Sequence, residues 1–114
     1  MEGGVFRPSL TKNNGRDVLF GEGQYFTSIA PEMIVARSQS QMTPSQIESG
    51  QISLLQLSRY TMGGTLYLEK LDYFIEFNVL NLGISRCNEY IYLHPSNVDL
   101  NVRNLIIRSG KTLI

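Results

Sequence analysis

Two glycines and two aromatic residues stand close together near the start of the chain, at Gly21, Gly23, Tyr25 and Phe26. Glycine lets the backbone approach another group closely, and a tyrosine ring offers a flat face for stacking. A segment with these properties suits a planar heteroaromatic ring such as nicotinamide. The alternative interpretation is a plain turn or bulge that leads into a strand.

A carboxylate, Glu89, stands at the head of the apolar stretch that runs to Leu93. The stretch predicts a strand that begins at Glu89 and is closed by Pro95. A carboxylate held at the end of a rigid strand can act as a catalytic acid or stabilise a developing positive charge. The alternative is an ordinary charge at the edge of a strand.

Other reactive side chains are sparse. His94 is the only histidine and Cys87 the only cysteine, so no zinc-binding spacing and no internal disulfide can be formed. We therefore predict no metal site, and a surface or structural role for His94. Arg37 and Arg86 could meet phosphate groups, or be solvated loop charges.

The charge balance bounds the partners of the chain. Among 114 residues, ten acidic and ten basic side chains cancel, so nothing attracts nucleic acid through bulk charge, and nucleic acid is not an expected partner.

No apolar run reaches the roughly 20 residues that span a bilayer, so no membrane association is expected. The N-terminal residues do not resemble a signal peptide. We expect a cytoplasmic protein, or one delivered or secreted as part of a longer chain.

The pattern of apolar residues predicts an α+β domain over residues 1–114, with more strands than helices. Thr43-Pro44-Ser45-Gln46 has the pattern of a helix start with a capping box. Residues 51–60 show a helical apolar face, and Gly63-Gly64 is expected to end that helix. The predicted strands are Gln24–Thr27, Asp72–Val79, Glu89–Leu93 and Leu105–Arg108, with loops over 7–16, 38–46 and 81–88.

Two of these segments together resemble a known family. "FGEGQYFTSIAP" is similar to the Gly-x-Gly-x-Tyr-Phe strand of ADP-ribosyltransferases such as poly(ADP-ribose) polymerases, and "NEYIYL" is similar to the strand that begins with their catalytic glutamate. The toxin-type branch with a His-Tyr-Asp signature resembles the chain more closely. That branch has similar segments in the same order as "RPS…GEGQYFTSIAP", "LLQLSRYTMGG", "DYFIEFNV" and "VDL…IIRSG". The resemblance extends from Phe6 to Gly110.

The resemblance implies a split β-sheet fold that binds NAD as a substrate in a cleft. Tyr25 would stack on nicotinamide, Gly21 and Gly23 would shape the neighbouring wall, and Phe26 would also belong to the residues that bind NAD. Ser28 would bond the nicotinamide amide. Glu89 would bond a ribose hydroxyl and stabilise the charge that forms on the sugar as nicotinamide leaves.

Two features of the chain depart from the family pattern. The histidine of the signature belongs to a strand expected upstream of Arg7, so we expect an N-terminally truncated form that lacks this first strand, or one without catalytic activity. The signature acid could also fall on the "DYFIEFNV" segment, as Asp72 or Glu76. Glu76 is the better of these two, and Glu89 is preferred to both because it heads a predicted strand.

The leading functional hypothesis is an ADP-ribosyltransferase of toxin or effector type, acting on a protein acceptor, with an immunity protein as a further partner. NAD glycohydrolase activity is the same chemistry with water as the acceptor. One alternative is an inactive NAD- or protein-binding remnant of the same fold, and another is a small β-rich interaction module.

Overall fold

The computed structural model describes residues 4–10, 20–62 and 68–113 and confirms an α+β protein. Short 3₁₀ helices occur at Pro31–Met33, Gln39–Gln41 and Leu68–Leu71. The strands and α-helices of the described part, in chain order, are β1 (Val5–Phe6), β2 (Gly23–Thr27), β3 (Ile34–Ala36), α1 (Pro44–Glu48), β4 (Ile52–Ser53), α2 (Leu54–Met62), β5 (Tyr73–Phe77), β6 (Ser85–Arg86), β7 (Ile91–Pro95), β8 (Leu100–Asn101) and β9 (Ile106–Lys111).

The chain divides into two compact units. The first unit consists of the described residues of Met1–Ser28 and of Glu76–Arg108. The second unit consists of the described residues of Ile29–Ile75 and of Ser109–Ile114.

The first unit is built on a three-stranded antiparallel sheet with the order β2-β7-β6. Strand β2 pairs with β7 over five residues, from Gly23 opposite Pro95 to Thr27 opposite Ile91. Strands β1 and β8 form a separate antiparallel pair. Buried Ile91, Leu93 and Val102 contribute the apolar core of this unit.

Three phenylalanine rings pack together in the first unit. The ring of Phe26 lies edge-on to those of Phe6 and Phe77, with centroids 5.4 and 5.6 Å away. The rings of Phe6 and Phe77 are stacked at 5.8 Å. Edge-on and offset contacts at such distances are favoured by the charge distribution of aromatic rings. The cluster therefore joins strands β1, β2 and β5 within this unit.

The second unit packs helix α2 against the parallel pair β3–β4. Ile34, Leu54 and Leu57 are buried at its centre, and further apolar residues pack around them: Ile29, Ile52, Leu68, Leu71 and Leu113. Helix α2 begins directly after β4. Ser53 Oγ accepts a bond from the Gln56 backbone N–H, and Gln56 Oε1 accepts one from the Ser53 backbone N–H. This reciprocal arrangement is a capping box.

Strands β5 and β9 form a two-stranded sheet. The Asn78 backbone N–H donates to the Leu105 carbonyl, and the Thr112 N–H donates to the Asp72 carbonyl. The first bond joins the residue after β5 to the residue before β9, and the second joins the residue before β5 to the residue after β9. The two strands therefore run antiparallel.

Several local predictions are confirmed. Strand β2 covers the predicted Gln24–Thr27, β5 lies inside the predicted Asp72–Val79, and Thr43 caps α1 through the predicted reciprocal bonds with Gln46. The expected helix end at 63–64 and residues 11–16 of the first loop lie outside the described residues.

Other boundaries were predicted wrongly. Residues 51–53 were expected to be helical, but Ile52 pairs with Ile34 as a strand. The predicted connection 81–88 contains β6, which pairs with β7. The strand expected to begin at Glu89 begins at Ile91.

Candidate functional site

The Tyr25 hydroxyl is bonded back onto the glycine-containing bend that precedes its strand. It donates to the Gly21 carbonyl oxygen over 2.5 Å and accepts from the Phe20 backbone N–H over 3.1 Å. The half-buried ring is thereby held beside the backbone of the bend. A ring fixed in this way is a preorganised face for stacking, because little side-chain entropy remains to be lost on binding.

The two glycines of the bend differ in how much space a side chain would have at each position. Gly23 lies between two backbones, exchanging hydrogen bonds with Ser9 on one side and pairing with Pro95 on the other. A Cβ atom added to Gly23 would lie 2.1 Å from the His94 carbonyl oxygen. Gly23 therefore serves the chain's own strand pairing, and its Cβ direction offers no room to a ligand.

Gly21 is less crowded in the direction that a side chain would take. Its φ angle of 114° is one that side-chain-bearing residues rarely adopt, and among the described residues a Cβ added there would contact only Leu93 Cδ2, at 3.9 Å. Of the two glycines, Gly21 leaves room for a ligand to approach the backbone next to the Tyr25 ring.

Phe26 lies on the opposite face of β2 from Tyr25, since successive side chains of a strand point to opposite faces. Its ring takes part in the phenylalanine cluster described above. The side chains of Tyr25 and Phe26 therefore lie on opposite faces of β2. Ser28 is exposed and follows the last residue of β2.

Glu89 lies in the loop that joins β6 to β7, not on a strand. The Asn88 side-chain oxygen accepts bonds from the Tyr90 and Ile91 backbone N–H groups, and the N–H groups of Cys87 and Asn88 both point to the Ile91 carbonyl. This tight turn presents Glu89 as an exposed side chain.

Glu89 and the glycine bend are at opposite ends of the β2–β7 ladder. Gly23 pairs with Pro95 at one end, whereas the Thr27–Ile91 pair closes the other end, beside the loop that carries Glu89. Four residue steps separate these two pairs, which is about 13 Å along a strand. The loop that carries Glu89 and the Gly21–Gly23 bend are therefore not neighbours along this ladder.

The two rival acids are both ion-paired. Glu76 lies on β5, and its Oε1 atom accepts bonds from Arg108 Nε and Nη2 at 3.1 and 3.0 Å. Asp72 belongs to the second unit, and its Oδ1 atom lies 3.4 Å from Arg37 Nη1. Glu76 directly precedes Phe77, whose ring contacts that of Phe26. Because successive side chains of a strand point to opposite faces, the Glu76 side chain lies on the face of β5 opposite the Phe77–Phe26 contact.

His94 has a partner that the sequence did not indicate. Its Nδ1 atom lies 2.8 Å from Oε1 of Gln24, which is completely buried and stands opposite it in the ladder. The Gln24 Nε2 atom donates to the carbonyl oxygens of Phe6 and Val98. The only sequence signal for this contact is a glutamine within a predicted strand. The sequence does not reveal which residue lies opposite it in the sheet.

Among the described residues, no group of three or more histidine, cysteine or acidic side chains is placed to hold a metal ion. In the same part of the chain, no helix has the length and apolar character needed to cross a membrane. Comparison with protein-family models, with curated proteins and with solved structures gave no match.

Proposed function

We propose that this chain is an ADP-ribosyltransferase domain of the toxin type, which binds NAD and transfers ADP-ribose to a macromolecular acceptor, a protein in the first instance. The observation that carries the proposal is the hydrogen bond that holds the Tyr25 ring to the Gly21 carbonyl, together with the absence of close contacts to the Cβ direction of Gly21 among the described residues. It supports a stacking site for nicotinamide at the segment that resembles the family motif.

The proposed reaction breaks the bond between the nicotinamide nitrogen and ribose C1′. Nicotinamide leaves with the electron pair of that bond, and a nucleophilic atom of the acceptor bonds to C1′ and gives up its proton. Positive charge builds on the sugar as the bond breaks, so a fixed carboxylate nearby lowers the barrier. With water as the acceptor the same steps give NAD hydrolysis.

Two carboxylates compete for that role. Glu89 was preferred because it was expected to head a strand, and its position in the β6–β7 loop removes this reason. Glu76 is on a strand and its orientation is set by Arg108, although the guanidinium also offsets part of its negative charge. We propose Glu76 as the first candidate for the catalytic acid and Glu89 as the second.

A non-catalytic NAD- or protein-binding domain of the same fold is the second candidate function. The position of Glu89 at the far end of the ladder from the bend favours it, because the two elements taken from the family motif are not brought together there.

The first experiment is calorimetric titration of the full chain with NAD, followed by measurement of nicotinamide release. We expect NAD binding, weakened about tenfold by Tyr25→Ala, because a base stacked on an aromatic ring contributes roughly 1–3 kcal/mol. Tyr25→Phe keeps the ring but removes the hydroxyl that bonds to Gly21, so its affinity should lie between those of the unaltered chain and Tyr25→Ala. A folded protein that does not bind NAD at millimolar concentration contradicts the transferase and the NAD-binding form of the second candidate.

Nicotinamide release then separates the two candidates. Loss of one carboxylate that stabilises the transition state is expected to lower the rate by about 10²–10³ while NAD binding persists. Comparing Glu76→Gln with Glu89→Gln identifies the acid. Binding of NAD with no release of nicotinamide, with or without a protein acceptor, supports the non-catalytic domain.

A further inference from the structure

The second unit contains a cavity of about 220 Å³ that has no part in the proposed function. Fully buried Leu54 and half-buried Leu113 form its apolar lining, and the polar lining consists of Arg37, Asp72, Tyr73 and Lys111. We propose that this cavity is a nucleotide-binding site, with the phosphate held by Arg37 and Lys111.

The cavity has an excess of positive charge. Arg37 and Lys111 supply two cations against the single carboxylate of Asp72. Within the described part of the chain, the Lys111 ammonium group makes no hydrogen bond or ion pair, which leaves its three N–H donors available. A phosphate group supplies both the negative charge and the oxygen acceptors that such donors match.

Arg37 is held in place by its backbone, while most of its side-chain donors stay available. Its backbone N–H donates to the Gln41 side chain, and its carbonyl accepts from the Leu55 N–H. Of the five guanidinium N–H groups, the described contacts use one on Nη1, in a long 3.4 Å contact with Asp72 Oδ1. The free edge of this planar group can bind phosphate through two parallel hydrogen bonds.

Asp72 and Tyr73 indicate that the ligand is more than inorganic phosphate. A carboxylate repels a bare phosphate, but Asp72 can accept a hydrogen bond from a ribose hydroxyl through Oδ2, the oxygen that Arg37 does not contact. The Tyr73 side chain is exposed, with 68% of the residue accessible, and offers a face on which a base can stack. A ligand that carries a phosphate, a sugar hydroxyl and a flat ring is a nucleotide.

The test is titration of the isotopically labelled full chain with adenosine monophosphate, followed by NMR through the backbone amides of Tyr73 and Lys111. We expect saturable shifts at both positions, about tenfold weaker affinity in Lys111→Gln, and restored affinity in Lys111→Arg. Arg59→Gln, an exposed arginine on α2 that does not line the cavity, is the matched control and should bind as the unaltered chain does. Equal affinity of the unaltered chain and Lys111→Gln, or no shift at millimolar ligand, overturns the proposal.

Two further ligands and one variant separate a nucleotide from a simple anion. Adenosine, which lacks phosphate, should bind at least about tenfold more weakly than the monophosphate. Asp72→Asn should strengthen binding of pyrophosphate, because a repulsive charge is removed, and weaken binding of adenosine monophosphate, because the hydroxyl loses a charged acceptor. Pyrophosphate binding as tightly as the nucleotide in the unaltered chain overturns the assignment to a nucleotide.

NAD is titrated separately, because it also carries nucleotide phosphates. If NAD shifts the Tyr73 and Lys111 amides and Tyr25→Ala leaves those shifts intact, the cavity binds nucleotides whether or not the proposed transferase activity exists. If neither NAD nor adenosine monophosphate shifts them, the cavity proposal fails while calorimetric NAD binding that depends on Tyr25 can still hold.

Discussion

His94 and Gln24 face each other across the β2–β7 ladder, with Nδ1 of the imidazole 2.8 Å from Oε1 of the amide. The amide cannot be reversed without loss, because its Nε2 group donates to two backbone carbonyl oxygens. Oε1 is therefore an acceptor toward His94, and the histidine must donate from Nδ1. A completely buried side chain thus fixes the tautomer of the only histidine in the chain.

The first prediction concerns this tautomer. Neutral His94 should carry its proton on Nδ1 and leave Nε2 unprotonated, which ¹⁵N NMR of the imidazole can read directly. In Gln24→Met the constraint is removed, so the tautomer should shift toward Nε2–H. A neutral ring protonated on Nε2 in the unaltered chain would contradict the network.

The second prediction concerns stability. Gln24→Met keeps the volume of the side chain but leaves the Phe6 and Val98 carbonyls and His94 Nδ1 without their partner. We expect the free energy of unfolding to fall by about 2–4 kcal/mol, measured by urea denaturation. Gln39→Met, at an exposed glutamine, is the control and should change it by less than about 0.5 kcal/mol. Similar values for both variants would show that the buried amide is not a key contact.

The third prediction separates the two glycines of the bend. Gly23→Ala should destabilise the fold by at least about 3 kcal/mol, because its Cβ would lie 2.1 Å from the His94 carbonyl oxygen in addition to the backbone strain. Gly21→Ala would bring the backbone strain but, among the described residues, only an ordinary contact with Leu93, and should cost about 1–2 kcal/mol. Thermal or urea unfolding of the two variants tests the order, and a larger loss for Gly21→Ala would contradict it.

The fourth prediction concerns the Glu76–Arg108 pair, whose side chains are 35% and 44% exposed. An ion pair so open to solvent contributes little, so the coupling energy from a double-mutant cycle with Glu76→Gln and Arg108→Gln should stay below about 1 kcal/mol. Glu76→Gln is therefore expected to remain folded, and a loss of nicotinamide release in it would report on chemistry. A coupling of several kcal/mol would instead make the pair a structural element.

The fifth prediction compares the two capping boxes. Ser53 is completely buried and caps α2, a helix of the core, whereas exposed Thr43 caps the five-residue α1. Ser53→Ala should cost about 1–2 kcal/mol of unfolding free energy, and Thr43→Ala about half that or less. Guanidinium denaturation of both variants checks the order; equal losses would mean that burial of the cap is unimportant.

Features that depend on residues close together in the sequence could be predicted. The Thr43–Gln46 cap depends on contacts within a few positions and is present, and a strand is present at Tyr73–Phe77, although Tyr73 and Ile75 of its apolar alternation are exposed. The same Ser/Thr-x-x-Gln pattern occurs at Ser53–Gln56 and starts α2 there. The pattern alone does not locate the start of the helix, because Ile52 fits the helical apolar face as well as it fits a strand beside Ile34.

Features that depend on strand register could not be predicted. Gln24 and His94 are 70 positions apart, and nothing local indicates that they pair. Glu89 was assigned to a strand because apolar residues follow it, but the Asn88 side chain bonds to the next two residues and makes a turn there. The position of the candidate acid was decided by this local hydrogen bonding, which competes with extension of the strand.

Strand β4 is followed directly by helix α2, with no connecting residue between them. Ser53 is the last residue of the strand and also the cap of the helix, so no intervening residue can absorb a change in length. A single residue added between Ser53 and Leu54 would turn the helix by about 100° relative to the strand. Leu54 and Leu57 would then point away from Ile34, so natural variation in length is expected to avoid this junction.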